Sequence, residues 1–154
     1  MATTSRDDRS QPLLRIPRNQ TPVTIMLEDG ERASAMLFVA PGTSVMRMLA
    51  DAAAFVPVSF TSGVRLIARD SIACITVHIL HAHVEEFEAV CERQKSLVRL
   101  RNGQHMKGEL HWIPSSENRR MLDHLNDQSS HLTMHDGDHV SYISKRHVAS
   151  AEEV

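Results

Sequence analysis

The chain has 154 residues, 42% hydrophobic and 23% charged, with a formal net charge of −2 and 4% aromatic residues. That length buries a core as one domain or two small ones, and the near-neutral charge excludes global attraction to nucleic acid or an anionic membrane. Few aromatics leave few stacking surfaces for bases or sugars. Met1–Gln20 is polar, with Arg6, Arg9, Arg15 and Arg18 against Asp7 and Asp8 and no signal-peptide core, and no later run reaches the ~18 apolar residues of a membrane span. The expectation is a flexible tail over 1–21, no membrane contact and a cytoplasmic location. Cys74 and Cys91 form no Cys-x-x-Cys pair and are expected as reduced thiols.

The first element in chain order is an alternating strand, with Val23, Ile25 and Leu27 on one side, running into Asp29-Gly30. Asp-Gly between alternating runs is a strong hairpin signal. A second strand follows with Ala33, Ala35, Leu37 and Val39 inward, ended by Pro41. Ser44 to Ala54 has helical apolar spacing and predicts a short helix, apolar around much of its girth through Val45, Met46, Met48, Leu49 and Ala52. Three short strands are expected near 55–60, 64–68 and 71–77. Val84 to Arg93 then places Val84, Phe87, Val90 and Cys91 on one face and glutamates on the other, an amphipathic helix within a connector over 78–96. The pattern starts again at Val98, turns at Asn102-Gly103 and continues with Met106, Gly108, Leu110 and Trp112 inward. A helix over Asn118–Asp127 and strands near 131–135, 139–144 and 147–151 complete it.

The two passes align. Ile25-Met-Leu-Glu-Asp-Gly30 meets Val98-Arg-Leu-Arg-Asn-Gly103, and Ala33–Leu37 meets Met106–Leu110. Pro41 meets Pro114 and, after three extra residues, Val64, Ile67 and Ile72 meet Val140, Ile143 and Val148. The expected fold is mainly β with short helices: two tandem SH3-like small barrels from an internal duplication, over 22–77 and 97–154.

The stretch Phe87–Leu110, above all Val98-Arg-Leu-Arg-Asn-Gly-Gln-His-Met-Lys-Gly-Glu-Leu110, resembles the bacterial Hfq and Sm-like family. Val140-Ser-Tyr-Ile-Ser-Lys-Arg-His-Val-Ala-Ser150 looks like that family's last two strands. The resemblance implies an Sm-like barrel and places Arg146 and His147 at the positions of a uridine-binding basic pair. The chain departs from the family in the loop and helix inserted between the second and third strands of each copy. In copy one, Asp70 and Ser71 stand at the basic pair, and Pro17 and Pro22 interrupt the lead-in.

No Gly-x-Ser-x-Gly, phosphate loop or His-Glu-x-x-His occurs, so no catalytic residue and no cofactor is assigned. All ten histidines follow residue 77. His78, His81 and His83 sit where strand meets connector, and His131, His135 and His139 flank Asp136-Gly-Asp138, a turn composition before it is a metal site. No metal is expected. Basic residues of copy two (Arg99, Arg101, Lys107, Arg119, Arg120, Lys145 and Arg146) are interspersed with eight acids.

The sharpest contrast lies on the strand faces expected to point outward. Copy one offers Met26, Met36 and Phe38 where copy two has Arg99, Glu109 and His111. Exposed apolar patches mark contact surfaces, and methionines adapt to partners. Met26, Met36, Phe38, Met46 and Met48 are the expected protein interface, the alternative being that the connector helix or copy two covers this face within the chain. The function expected is a non-enzymatic bacterial adaptor or assembly protein, binding a protein partner or a second copy of the chain. The alternative is an Sm-like RNA-binding protein using Lys145, Arg146 and His147.

Overall fold

A computed structural model describes residues 19–51, 53–82, 91–115 and 119–154 of the chain. There the alternating pattern becomes antiparallel strands with two short helices. In chain order these are β1 (Asn19–Leu27), β2 (Arg32–Val39), α1 (Val45–Ala50), β3 (Phe55–Phe60), β4 (Gly63–Ala68), a 3₁₀ turn at Arg69–Ser71 and β5 (Ile72–His78). A second 3₁₀ turn at Ile79–His81 precedes β6 (Glu92–Leu100), β7 (His105–Trp112), α2 (Met121–Leu125), β8 (His131–Asp136) and β9 (His139–Ser144). A third turn at Lys145–His147 leads into β10 (Val148–Glu153). The strands form one sheet in the order β10-β6-β7-β8-β9-β5-β1-β2-β3-β4.

Turn chemistry and alternation explain the hairpins. Gly30 and Gly103 adopt φ of +91° and +88°, which side chains with a Cβ resist, and so allow the β1–β2 and β6–β7 connections. On either side the even rhythm of burial holds: Val23, Ile25 and Leu27 of β1 are buried, as are Ala35, Leu37 and Val39 of β2. Gly108 has a different task. A Cβ there would lie 2.6 Å from the His135 carbonyl oxygen and 2.8 Å from Met134 Cγ, so its lack of a side chain lets β7 and β8 approach.

The element bounds recur along the chain. One constant offset carries β1 and β2 onto β6 and β7, Asn19–Leu27 onto Glu92–Leu100 and Arg32–Val39 onto His105–Trp112. A second, slightly larger offset carries β3, β4 and the first 3₁₀ turn onto β8, β9 and the third. Phe55–Phe60 then falls on His131–Asp136, Gly63–Ala68 on His139–Ser144, and Arg69–Ser71 on Lys145–His147. Pairing registers follow: Leu37 opposes Val58 as Leu110 opposes Met134.

The core falls into two clusters. One holds Ile25, Leu37, Leu49, Val58 and Ile75, and the other Val98, Leu110, Leu132, Met134 and Ile143. The short helices pack on these clusters: α1 buries Val45 and Leu49 and is capped by Ser44 Oγ, which accepts from Arg47 N at 3.1 Å, and Met121 and Leu125 of α2 pack on the second cluster.

Three expectations shift. The tail stops earlier than residue 21, because β1 begins at Asn19 and pairs with β2 from there. Pro22 is tolerated inside β1, just before the first β1–β5 pair of Val23 with Val77, where its missing N–H sits at the end of that ladder. The connector helix over 84–93 lies mostly outside the described residues. Its last two residues, Glu92 and Arg93, are strand, because β6 pairs along its length with β7, Glu92 opposite Trp112. Among the described residues no helix is long and apolar enough to cross a membrane.

Candidate functional site

The two halves of the sheet meet along β5 and β9. Cys74 opposes Ile143, Ile75 opposes Tyr142, Thr76 opposes Ser141, Val77 opposes Val140, and His78 opposes His139. Side chains cross this line in both directions. Val140 and Tyr142 of β9 belong to the first core cluster, while Met26, Ala73 and Cys74 belong to the second. Burial pushes the Tyr142 hydroxyl up to about 12 and the Cys74 thiol up to about 11, because the charged form of each would lose its hydration there. A polar pair inside the seam is mutually satisfied, with Thr76 Oγ1 and Ser141 Oγ 2.7 Å apart.

Polar contacts bracket the seam. Arg146 Nη1 lies 2.7 Å from Asp70 Oδ1, and His147 Nε2 lies 2.6 Å from the Asp70 carbonyl oxygen. Asn102 Nδ2 donates to the Leu27 carbonyl at 3.3 Å. At the far end His78 and His139 meet edge-on, ring centroids 5.8 Å apart.

At the outer ends of the sheet, β4 and β10 each pair on one side only among the described residues. On β4, Val64 is 59% and Leu66 71% exposed, and neighbouring Phe55 on β3 is 61% exposed. At the positions equivalent to Val64 and Leu66, β9 buries Val140 and Tyr142 completely or nearly so. Arg65 between them pairs with Glu31 at 3.2 Å and lies over the Phe60 ring. On β10, Glu152 pairs with Arg99 at 3.5 Å. An unpaired edge strand carrying apolar side chains is a template for further strand pairing.

The expected interface residues are divided by the structure. Met26 is not on the surface: at 2% exposure it packs into the second cluster beside Ala73 and Cys74. It shares a sheet face with Met36 and Phe38, but Met36 opposes Pro22 and Phe38 opposes Gln20, so they lie about 13 Å or more along the strand from Met26. Met36 and Phe38 are half-buried. Met46 is 40% exposed on α1, whereas Met48 turns in against the first cluster. Ala52 is outside the described residues. His111, expected to point outward, is buried; it stacks on His135 with ring centroids 3.7 Å apart and sits 2.7 Å from Glu109 Oε1, holding that carboxyl below its usual range. Val64 and Leu66 were not singled out as surface by the sequence, since their alternation is the same as that of buried β9, and Phe55 begins β3 in an ordinary apolar pattern.

The basic trio of the nucleic-acid reading is engaged within the chain. Lys145 Nζ reaches Asp127 Oδ1 at 2.6 Å, the His124 carbonyl at 2.6 Å and Ser129 Oγ at 2.9 Å, tying α2 to the third 3₁₀ turn. Burial works against the Asp127 charge, but hydrogen bonds from Lys145, Ser129 and His124 outweigh it and hold the carboxyl far below its usual range. Arg146 and His147 face Asp70 as described. Among the described residues no three histidine, cysteine or acidic side chains converge as metal ligands, and Cys74 and Cys91 are thiols outside any disulfide.

In comparison with protein-family models, curated proteins and solved structures, the chain matches none.

Proposed function

We propose that this chain is a non-enzymatic association module, made of two copies of one five-strand Sm-like unit, that binds protein through the exposed edge of its first unit. The coincidence of element bounds and pairing registers at two nearly equal offsets supports the duplication. Each unit has the order fifth-first-second-third-fourth strand, and the β5–β9 seam joins them.

One observation carries the association reading: β4 leaves Val64 and Leu66 in water at the positions where β9 buries Val140 and Tyr142. Covering an aliphatic side chain fully contributes about 1.5–3 kcal/mol, and an open ladder supplies backbone hydrogen bonds in addition. The apolar contact surface therefore moves from Met26, Met36 and Phe38 to Phe55, Val64 and Leu66, with Met46 nearby in sequence but on α1. The RNA reading loses support because Lys145 is committed to Asp127 and the Arg146 charge is balanced by Asp70.

The test replaces Leu66 with a photoreactive phenylalanine analogue in cells, with the same replacement of exposed Leu122 on α2 as control. Covalent protein adducts are expected from position 66 and not from position 122. No adduct at 66, or nucleic acid as the adduct, refutes the reading.

A further inference from the structure

We infer that a small-molecule site lies between α2 and the β6–β7 hairpin, and that its ligand is an uncharged, mainly apolar molecule whose hydroxyl or amide head pairs with Trp112 and His124. The cleft there has a volume of about 460 Å³, within the range that holds small ligands. Trp112, Met121, Leu122, Leu125 and Ala151 supply its apolar wall. It lies in the other half of the sheet from the β4 edge, so the inference goes beyond the association reading and does not depend on it.

Two buried polar atoms carry the argument. Trp112 is 6% and His124 7% exposed, and their rings lie parallel with centroids 5.5 Å apart. Trp112 Nε1 and His124 Nε2 each have no hydrogen-bond partner among the described residues. Their roles are complementary. The indole nitrogen can only donate. His124 Nδ1 lies 2.8 Å from Asp127 Oδ2, and that carboxylate, held ionised by Lys145 and Ser129, can only accept. Nδ1 therefore carries the hydrogen. Burial pulls the His124 imidazole below its ordinary range, which leaves Nε2 a neutral acceptor at pH 7. A head group that accepts from the indole and donates to the imidazole satisfies both atoms.

The recurring element bounds supply a comparison within the chain. The offset between β2 and β7 carries Val39 onto Trp112, and the offset between α1 and α2 carries Met48 onto His124 and Val45 onto Met121. The equivalent cleft in the first half, about 370 Å³, has Val39, Ser44 and Val45 in its wall, and Met48 packs on the first core cluster. Apolar side chains therefore suffice at these positions. Keeping an unpaired donor and acceptor there instead lowers stability. Packing does not require that pair, whereas a ligand head group satisfies it. The rim selects against net charge. Arg93, Arg119 and Arg120 stand among Glu92 and Glu153, and Arg120 is already paired with Asp123 at 2.9 Å.

The chain has one tryptophan, so the indole itself reports occupancy. The full chain is titrated with benzyl alcohol and benzamide, with ethylbenzene as the equal-sized probe lacking the head and benzoate as the charged one. Both head-bearing probes are expected to saturate with a Kd of about 1 mM or tighter, ordinary for ligands of this size, and to move the single indole N–H resonance downfield. Ethylbenzene and benzoate should bind at least tenfold more weakly, because each leaves a buried polar group unpaired. Trp112→Phe removes the donor and keeps an aromatic ring. Followed by calorimetry, it should weaken benzyl alcohol at least tenfold without lowering Tm, since an unpaired buried group goes with it. His124→Met, which copies the aligned residue, should weaken binding as much and decides the matter should Trp112→Phe fail to fold. Saturation by neither head-bearing probe, equal affinity for ethylbenzene or benzoate, or a loss below tenfold in either folded variant overturns the inference.

Discussion

Replacing Lys145 with alanine separates a structural lysine from a nucleotide-binding one. In the structure Nζ donates to a carboxylate, a backbone carbonyl and a hydroxyl, with the Lys145 side chain 15% and the Asp127 side chain 25% exposed. Hydrogen bonds to charged groups contribute about 1.5–3 kcal/mol each when removal strands a buried partner. Asp127 keeps bonds from Ser129 and His124 and touches water, so the loss belongs near the lower end, about 2 kcal/mol at pH 7. At about 2–4 °C per kcal/mol for a chain of this size, Tm should fall by roughly 4–8 °C. The pH dependence has a definite sign. The folded Asp127 carboxyl is depressed below its unfolded value, so its contribution is present above about pH 4 and fades as acid protonates it. The gap between wild type and Lys145→Ala should accordingly narrow below pH 4. Adding Asp127→Ala should cost less than the sum of the two single changes in a double-mutant cycle. Thermal melts followed by circular dichroism supply the stability values, and oligonucleotide retention at moderate salt supplies the control. An unchanged Tm together with tenfold weaker retention would refute this reasoning and restore the lysine to the nucleic-acid reading.

Met26→Ala should cost about 2–5 kcal/mol in denaturant unfolding, because a fully buried side chain between the halves leaves a cavity; a change under about 0.5 kcal/mol, the scale of surface substitutions, would mean that Met26 faces water. Gly108→Ala should destabilise by about 1–3 kcal/mol, since its Cβ would meet the His135 carbonyl oxygen, which cannot move aside as the Met134 side chain can, while an unchanged melting curve would show that β7 and β8 separate freely. His131, whose burial pulls its imidazole down to about 4, adds a proton to the unfolded chain before the folded one. Stability from this residue is therefore complete above about pH 6.5, falls between 6.5 and 4, and levels off below; His131→Gln should flatten that portion of a stability–pH curve, and an identical slope in the variant would exclude the residue as its source.

Much of this architecture was legible in local patterns. Period-two alternation around Ile25 and Val98, the Asp29-Gly30 and Asn102-Gly103 turns, and apolar spacing over Val45–Leu49 depend on neighbours a few residues away, and the strands and helices lie where those patterns place them. The boundary between connector and β6 was less legible. Glu92 and Arg93 suit a solvated helix as well as a strand end, and pairing with His111 and Trp112 decides between them.

The candidate site was the least legible, for a reason that Met26 and Val64 make plain. Alternation says that Met26 points away from the Ile25 face, but not that β5 and β9 run beside it and bring the second cluster over it. Val64 and Val140 sit in equivalent patterns, yet one is 59% exposed and the other fully buried, because β9 has β5 as a second neighbour and β4 has none beyond β3 within the described residues. Lys145 likewise reads as a basic residue until folding brings Asp127 and the end of α2 to its ammonium group. The sequence by itself determined the strands, the turns and the inward rows, which are short-range consequences of side-chain period and turn stereochemistry. Only the tertiary structure decided which faces are covered and which cations are engaged, since both depend on strand neighbours and charges brought together from distant parts of the chain.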